Sequence, residues 1–350
     1  MPAGAMGKRL LLSGALVLVI LAITGFVVGA IGSGMLGRSE PFLPQPEIHL
    51  PPQPIFPAAK RDASLGLVAA AAPEAPATEP AEPINDDHAT SEEEHHFVPL
   101  GVTEVALTNT LLSAWVATFA IILFFVLGSR RRALVPSRFQ GLIESVMEAM
   151  LTFATGVLGP EMARKAFPVA ATIFFFVLFN AWIVLFLIPI YASVGFGTGS
   201  LFDMDIKTHL LRPAGTDLNM PLALALISFV FVEYWGFRVN GFGYLKKFFA
   251  FGNLLRGRPS GIIDVFVGIL EFISELVRVV SFTFRLFGNM MAGEILVVMV
   301  TFLVPFAVNI FVFGLELLVG LIQSVIFAGL TLVFLNLAVS HEKHAEHAEH

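Results

Sequence analysis

The chain has 350 residues, of which 56% are hydrophobic and only 14% charged, and it contains no cysteine. A soluble domain carries roughly a quarter of its residues as charges, so the composition argues against a soluble enzyme, and the missing cysteines exclude a disulfide framework, thiolate zinc sites and thiol catalysis. The formal net charge of −6 is spread unevenly and has to be read segment by segment.

Lys8 and Arg9 precede an uncharged stretch over 10–36. A secretory signal has a similar basic start, but its apolar region runs to about 7–15 residues. Residues 1–36 are therefore read as an N-terminal membrane helix, with a signal sequence as the alternative. Over 37–99 prolines are dense, and Asp86, Asp87, Glu92, Glu93 and Glu94 cluster. Such a stretch buries too little apolar surface to offset its ordering entropy, which predicts a disordered extracytoplasmic tether. The membrane domain is expected over 100–340. Its first crossing covers 104–128 and is closed by Arg130, Arg131 and Arg132. Phe139, Leu142, Ile143, Val146, Met147, Met150 and Leu151 then recur at helical spacing, with Gln140, Glu144 and Glu148 between them. That pattern predicts an amphipathic helix on the membrane surface. Residues 166–188 cross next, and a polar loop follows with Asp203, Asp205, Lys207, Arg212 and Asp217. After a crossing over 220–237, a basic stretch carries Arg238, Lys246, Lys247, Arg256 and Arg258. Two long apolar segments, 261–303 and 306–340, lead to a His/Glu polar tail at 341–350.

Lys and Arg concentrate on the cytoplasmic side of membrane loops. Six crossings with both termini inside put the basic triplet and the 238–258 stretch in the cytoplasm, and leave only Arg38, Lys60, Arg61, Lys207 and Arg212 outside. The basic residues are interfacial and the overall balance is acidic, so nothing points to nucleic acid.

No proline interrupts 261–304, so a single helix of roughly 43 residues, about 64 Å long, is allowed. A hydrocarbon core is only about 30 Å thick. The expectation is an all-α integral membrane protein of about five core helices plus one extra N-terminal helix. It ends in a long, strongly tilted two-helix hairpin bent near Pro305. Glu271, Ser274, Arg278, Ser281, Arg285 and Asn289 follow one another at three- and four-residue steps and share one face of the first long helix. Asn309, Glu316 and Gln323 repeat at heptad spacing on the second. An arginine in mid-membrane costs at least about 2.5–3.5 kcal/mol and marks an ion path or a binding partner. Arg285 has no acid three or four residues away on its own helix. A polar seam that merely holds helices together accounts for the amides and serines better than for this arginine. Folding at Pro305 sets Arg285 opposite Gln323 and Glu294 opposite Glu316, with Glu271 near the cytoplasmic surface. Paired carboxylates can pass protons, whereas a guanidinium cannot deprotonate and acts as an electrostatic barrier.

The run Ser281-Phe-Thr-Phe-Arg285-Leu-Phe-Gly-Asn289-Met-Met-Ala-Gly-Glu294 closely resembles the arginine motif of subunit a of F-type ATP synthases. Glu316 and Gln323 downstream, Thr108-Asn109-Thr110-Leu111-Leu112 and Asn180 extend the resemblance over about 100–340. It implies a non-catalytic, proton-translocating stator subunit in an energy-transducing cell membrane, such as a bacterial inner membrane. That subunit faces a ring of subunits c and joins the peripheral stalk of subunit b and the rest of the complex. By the same resemblance, Arg285 separates two aqueous half-channels. Glu294, Glu316, Asn289 and Gln323 line the outer one, and Glu271 the inner one. No cofactor or metal is implied. This chain has Glu316 where some members have His, and Ile183 where some have Asp. A stand-alone ion-coupled transporter is the alternative, but such proteins show paired halves with broken helices, and no internal repeat is visible here. His341, His344 and His347 read as a solvated tail.

Overall fold

A computed structural model describes residues 3–35, 54–56, 106–130, 138–186, 200–201, 204–205, 211–241, 243–244 and 260–346. In chain order its elements are helices α1 (Ala3–Val28) and α2 (Ala30–Met35), then strands β1 (Pro54–Phe56) and β2 (Leu107–Thr108). Helices α3 (Asn109–Ser129), α4 (Arg138–Leu158) and α5 (Pro160–Phe186) follow, then the short strands β3 (Ser200–Leu201) and β4 (Met204–Asp205). A 3-10 turn over Ala214–Thr216 leads into α6 (Asn219–Asn240), α7 (Ser260–Leu303) and α8 (Ala307–Glu346). The protein is an all-α membrane protein, and among the described residues six helices, α3 to α8, are long and apolar enough to cross a bilayer.

Local chemistry sets the helix ends. The Thr108 hydroxyl accepts the Leu111 N–H at 3.3 Å and caps α3. Gly159, at φ 77°, closes α4 by donating to the Thr155 carbonyl, and Pro160 starts α5 at the position where a missing N–H costs nothing. Asp217 Oδ1 accepts the Asn219 N–H at 3.1 Å at the start of α6.

At α4 the structure departs from the sequence reading. The helix forms, but part of its apolar stripe is covered by protein. Val146, Met147 and Met150 pack toward Phe174, Phe175 and Leu178, while Ala154 and Val157 lie with Ala163, Ala166 and Ala170. Ascending residues of α4 thus meet descending residues of α5, and the two run antiparallel. Leu142 and Phe153 stay exposed at 56% and 50%, so one flank of α4 remains for lipid or a partner. The periodicity was right; what covers the stripe came from a tertiary neighbour.

α7 and α8, with 44 and 40 residues, form the expected long hairpin. The chain reverses at Pro305 and Phe306, where Phe306 takes φ 71°. α8 continues to Glu346, into the stretch expected to be a polar tail. The N-terminal helix lies on this bend. A Cβ built on Gly25 would collide with the Pro305 carbonyl oxygen, and one on Gly29 with that of Leu303. Only glycine permits so close a backbone approach. Within the stretch read as a tether, Pro54–Phe56 pairs antiparallel with Leu107–Thr108. The rest of 37–99, Asp203, Lys207, the 245–259 part of the basic stretch and the last four residues lie outside the described residues.

The core sits where α5, α6, α7 and α8 meet. Ile173 and Val177, Leu224 and Ala225, Phe282 and Leu286, and Phe327 form one cluster. An alanine-rich cluster with Val232, Tyr244 and Leu335 extends it away from the hairpin bend. Lipid tails are as apolar as leucine, so association rests on close packing of small and aromatic side chains and on buried hydrogen bonds such as Ser228 to Thr331, 2.8 Å apart.

Candidate functional site

The polar residues of α7 and α8 meet in a ladder that descends from the bend. Nearest it, Asn309 Nδ2 donates to Thr301 Oγ1 at 2.8 Å. At the next level the Glu316 carboxyl lies against Gly293, where a built Cβ would collide with both of its oxygens. One level further, Asn289 Nδ2 donates to Gln323 Oε1 at 2.8 Å. Each pair lies at a similar distance on either side of Pro305, but Gln323 meets Asn289, one turn nearer the bend than the Arg285 expected opposite it.

Glu294 has a partner the sequence did not announce. Arg212 Nε lies 3.0 Å from each of its carboxylate oxygens. The arginine comes from the segment before α6 and is 3% exposed. Its backbone N–H donates to Ser113 Oγ at 3.0 Å, and its terminal nitrogen lies 3.7 Å from Met291 Sδ. The signal was available in reverse: Glu294 has Met290, Met291, Val297 and Val298 at three- and four-residue steps. A buried carboxylate with no cation on its own helix needs one from elsewhere. Glu294 therefore meets Arg212 rather than Glu316. Glu316 has neither hydrogen bond nor ion pair among the described residues.

Arg285 lies nine residues from Glu294 along α7, about 14 Å of helix rise. Its guanidinium has no carboxylate or hydrogen-bond partner among the described residues, and its nearest aromatic, Phe282, has its ring centroid 5.8 Å away. Ser274, Ser281 and Asn289 are exposed and Arg285 is half-exposed. The polar stripe thus runs along the border between the face covered by α8 and a bare apolar face with Phe266, Leu270, Ile273, Val277, Val280 and Phe284, each at least 47% exposed.

Arg278, expected on the same stripe, turns inward instead. It pairs with Glu275 at 2.6 Å and lies over the Phe334 ring at 3.8 Å. Close by, the Tyr244 hydroxyl donates to Glu233 Oε1 at 3.3 Å. Burial, and then the neighbouring Glu233 carboxylate, push the Tyr244 phenol well above its usual range. Glu271 is half-buried on α7, one turn before Glu275. Gln323 Nε2 and Asn180 Oδ1 are buried with no partner among the described residues, and polar atoms of this kind are where interior water is held.

Among the described residues, the arrangement places a guanidinium without an acid partner between two carboxylate-bearing levels, beside an apolar face that no other element covers. A family model described as ATP synthase A chain matches residues 111–336. ATP synthase subunit a of Gloeobacter violaceus is 32% identical over 239 residues, covering 68% of this chain and 86% of that protein. ATP synthase subunit a of Helicobacter pylori is 34% identical over 227 residues, 64% of this chain and 88% of that protein. The protein of the same name in Helicobacter acinonychis is 32% identical over 227 residues.

Proposed function

The chain belongs to the ATP synthase A chain family and so is a subunit of the ATP synthase complex, and from that premise we propose that it is the proton-conducting stator subunit, with Arg285 as the barrier between two half-channels. The observation that carries this reading is the lone Arg285 guanidinium at the edge of the bare face of α7. A cation in mid-membrane without an acid needs a partner outside the chain. A ring of subunits c, each bringing one carboxylate past this face, supplies that partner in turn and covers the exposed phenylalanines and leucines.

The distribution of Lys and Arg orients the hairpin bend toward the outside. Protons from that side reach the level of Glu294 and Glu316, pass the Asn289 and Gln323 amides, and load a ring carboxylate. The guanidinium cannot give up its proton at any working pH. It repels a passing proton and attracts only the ionised ring carboxylate, so the charge crosses by rotation of the ring and not by a direct hop. Release on the cytoplasmic side runs past Glu271, which lies 14 residues before Arg285, about 21 Å along the helix. The subunit conducts ions and catalyses no bond-breaking itself; the exposed flank of α4 and the outer side of α3 remain for the subunit b stalk. Both termini face the cytoplasm in this orientation.

Arg285→Ala is expected to abolish ATP synthesis driven by an imposed proton gradient in proteoliposomes while the complex still assembles. Arg285→Lys is expected to fail substantially as well, since a mobile point charge does not replace a planar fork. Normal synthesis by assembled Arg285→Ala complexes would refute the assignment.

A further inference from the structure

We infer that Arg212 is a positioning residue for the outer carboxylates: it holds Glu294 in a fixed ion pair and leaves Glu316 as the group that exchanges protons. The inference rests on the proposed half-channel and refines it. Arg212 is almost completely buried and sits on a rigid mount. Its backbone is tied to Ser113, and the following turn closes on itself through Thr216 N–H to the Pro213 carbonyl at 3.0 Å. Asp217 Oδ2 accepts from Thr110 Oγ1 at 3.1 Å, which fastens the far end of the turn to α3. Gly215 presses on α7, where a built Cβ would be 2.7 Å from Met290 Cγ. The guanidinium is thus delivered to a set point against α7 and cannot withdraw to water.

A buried arginine is tolerable only if its charge is matched, and Glu294 matches it through both oxygens. Among the described residues, Arg212 on the loop is the charged group in contact with Glu294, and Glu316 on α8 faces the neighbouring Gly293. Two carboxylates therefore share a depth but differ in state. One is neutralised by a permanent cation, and the other has no partner. A proton arriving at this level finds Glu316 open and Glu294 occupied. The two acids do not form an equivalent pair.

The test compares proton flux per assembled complex in proteoliposomes for Arg212→Gln, Arg212→Lys, Glu294→Gln, Glu316→Gln and the double variant Arg212→Gln/Glu294→Gln. Arg212→Gln leaves Glu294 buried without its cation and is expected to lower flux about tenfold or more. The double variant is expected to recover to the level of Glu294→Gln alone, because removing both members of a buried pair is milder than removing one. Arg212→Lys, which keeps the charge, should lie between, and Glu316→Gln should lose more than Glu294→Gln. If Arg212→Gln fails to assemble, the double variant is expected to assemble. Wild-type flux in Arg212→Gln, or a double variant as impaired as Arg212→Gln, would overturn the role given to Arg212. Wild-type flux in both Glu294→Gln and Glu316→Gln would instead overturn the proposed outer half-channel itself.

Discussion

Arg278 and Arg285 stand seven residues apart on one helix, yet their surroundings give them opposite characters. Glu275, one turn before Arg278, neutralises it, and Phe334 covers its face. Ser281, Phe282, Gly288 and Asn289 surround Arg285 and offer no negative charge. The acid-free surroundings of Arg285 were legible from the sequence, because they depend only on what stands three and four residues away, whereas Arg278 was expected on the same stripe and its inward turn was not. Arg212 was not legible in that way. Its acid lies 82 positions further along the chain, and a lone arginine in a polar loop looks like an ordinary solvated charge. Tyr244 was missed for the same reason, since Glu233 and Glu275 reach it from two helices. Its raised pKa makes a testable difference. The folded state holds the phenolic proton more tightly than the unfolded chain, so stability is complete below the ordinary tyrosine value. It is lost progressively as pH rises above about 10. The thermal stability of the purified complex should therefore fall above about pH 10, and Tyr244→Phe should fall less over the same interval. An identical alkaline loss in the two proteins would contradict the buried, acid-flanked phenol.

At the scale of elements the hairpin is the part that sequence reasoning reached most fully. The proline-free run, the single Pro305 and the equal spacing of polar residues about it specified both helices and their register. The individual pairs differ from the simple fold at Pro305: Gln323 meets Asn289 rather than Arg285, and Asn309 meets Thr301. The partner of α4's apolar stripe was out of reach, because amphipathic periodicity reports that a face is buried without reporting what buries it. The close approach at Gly293 gives the hairpin a direct test. A side chain there meets the far end of Glu316, which is flexible, so the carboxyl should move while the helices stay paired. Gly293→Leu is expected to assemble normally and to lose between about tenfold and a hundredfold of proton flux, the effect of displacing a reacting group by an ångström or so. Full flux in this variant would show that the carboxyl's position does not matter.

Over the whole molecule, one face of α7 stays bare, with Phe266, Leu270, Ile273, Val277, Val280 and Phe284 exposed. A face that bare is unremarkable against lipid, but here it borders an unpaired arginine, and the two together call for a partner that is both apolar and acidic. The N-terminal helix closes the opposite end of the architecture by seating Gly25 and Gly29 on the hairpin bend. Its existence was legible from hydropathy. Its docking site was not, since glycines in an apolar run carry no address. In this mechanism everything depends on Arg285 keeping the two aqueous paths apart. The most direct measurement is passive proton conductance of vesicles bearing the assembled membrane sector, wild type against Arg285→Ala, with ATP synthesis followed in parallel. The variant is expected to conduct protons under an imposed potential without making ATP, because the ring carboxylates then connect the two paths. Conductance that remained strictly coupled to ATP synthesis in Arg285→Ala would contradict this mechanism.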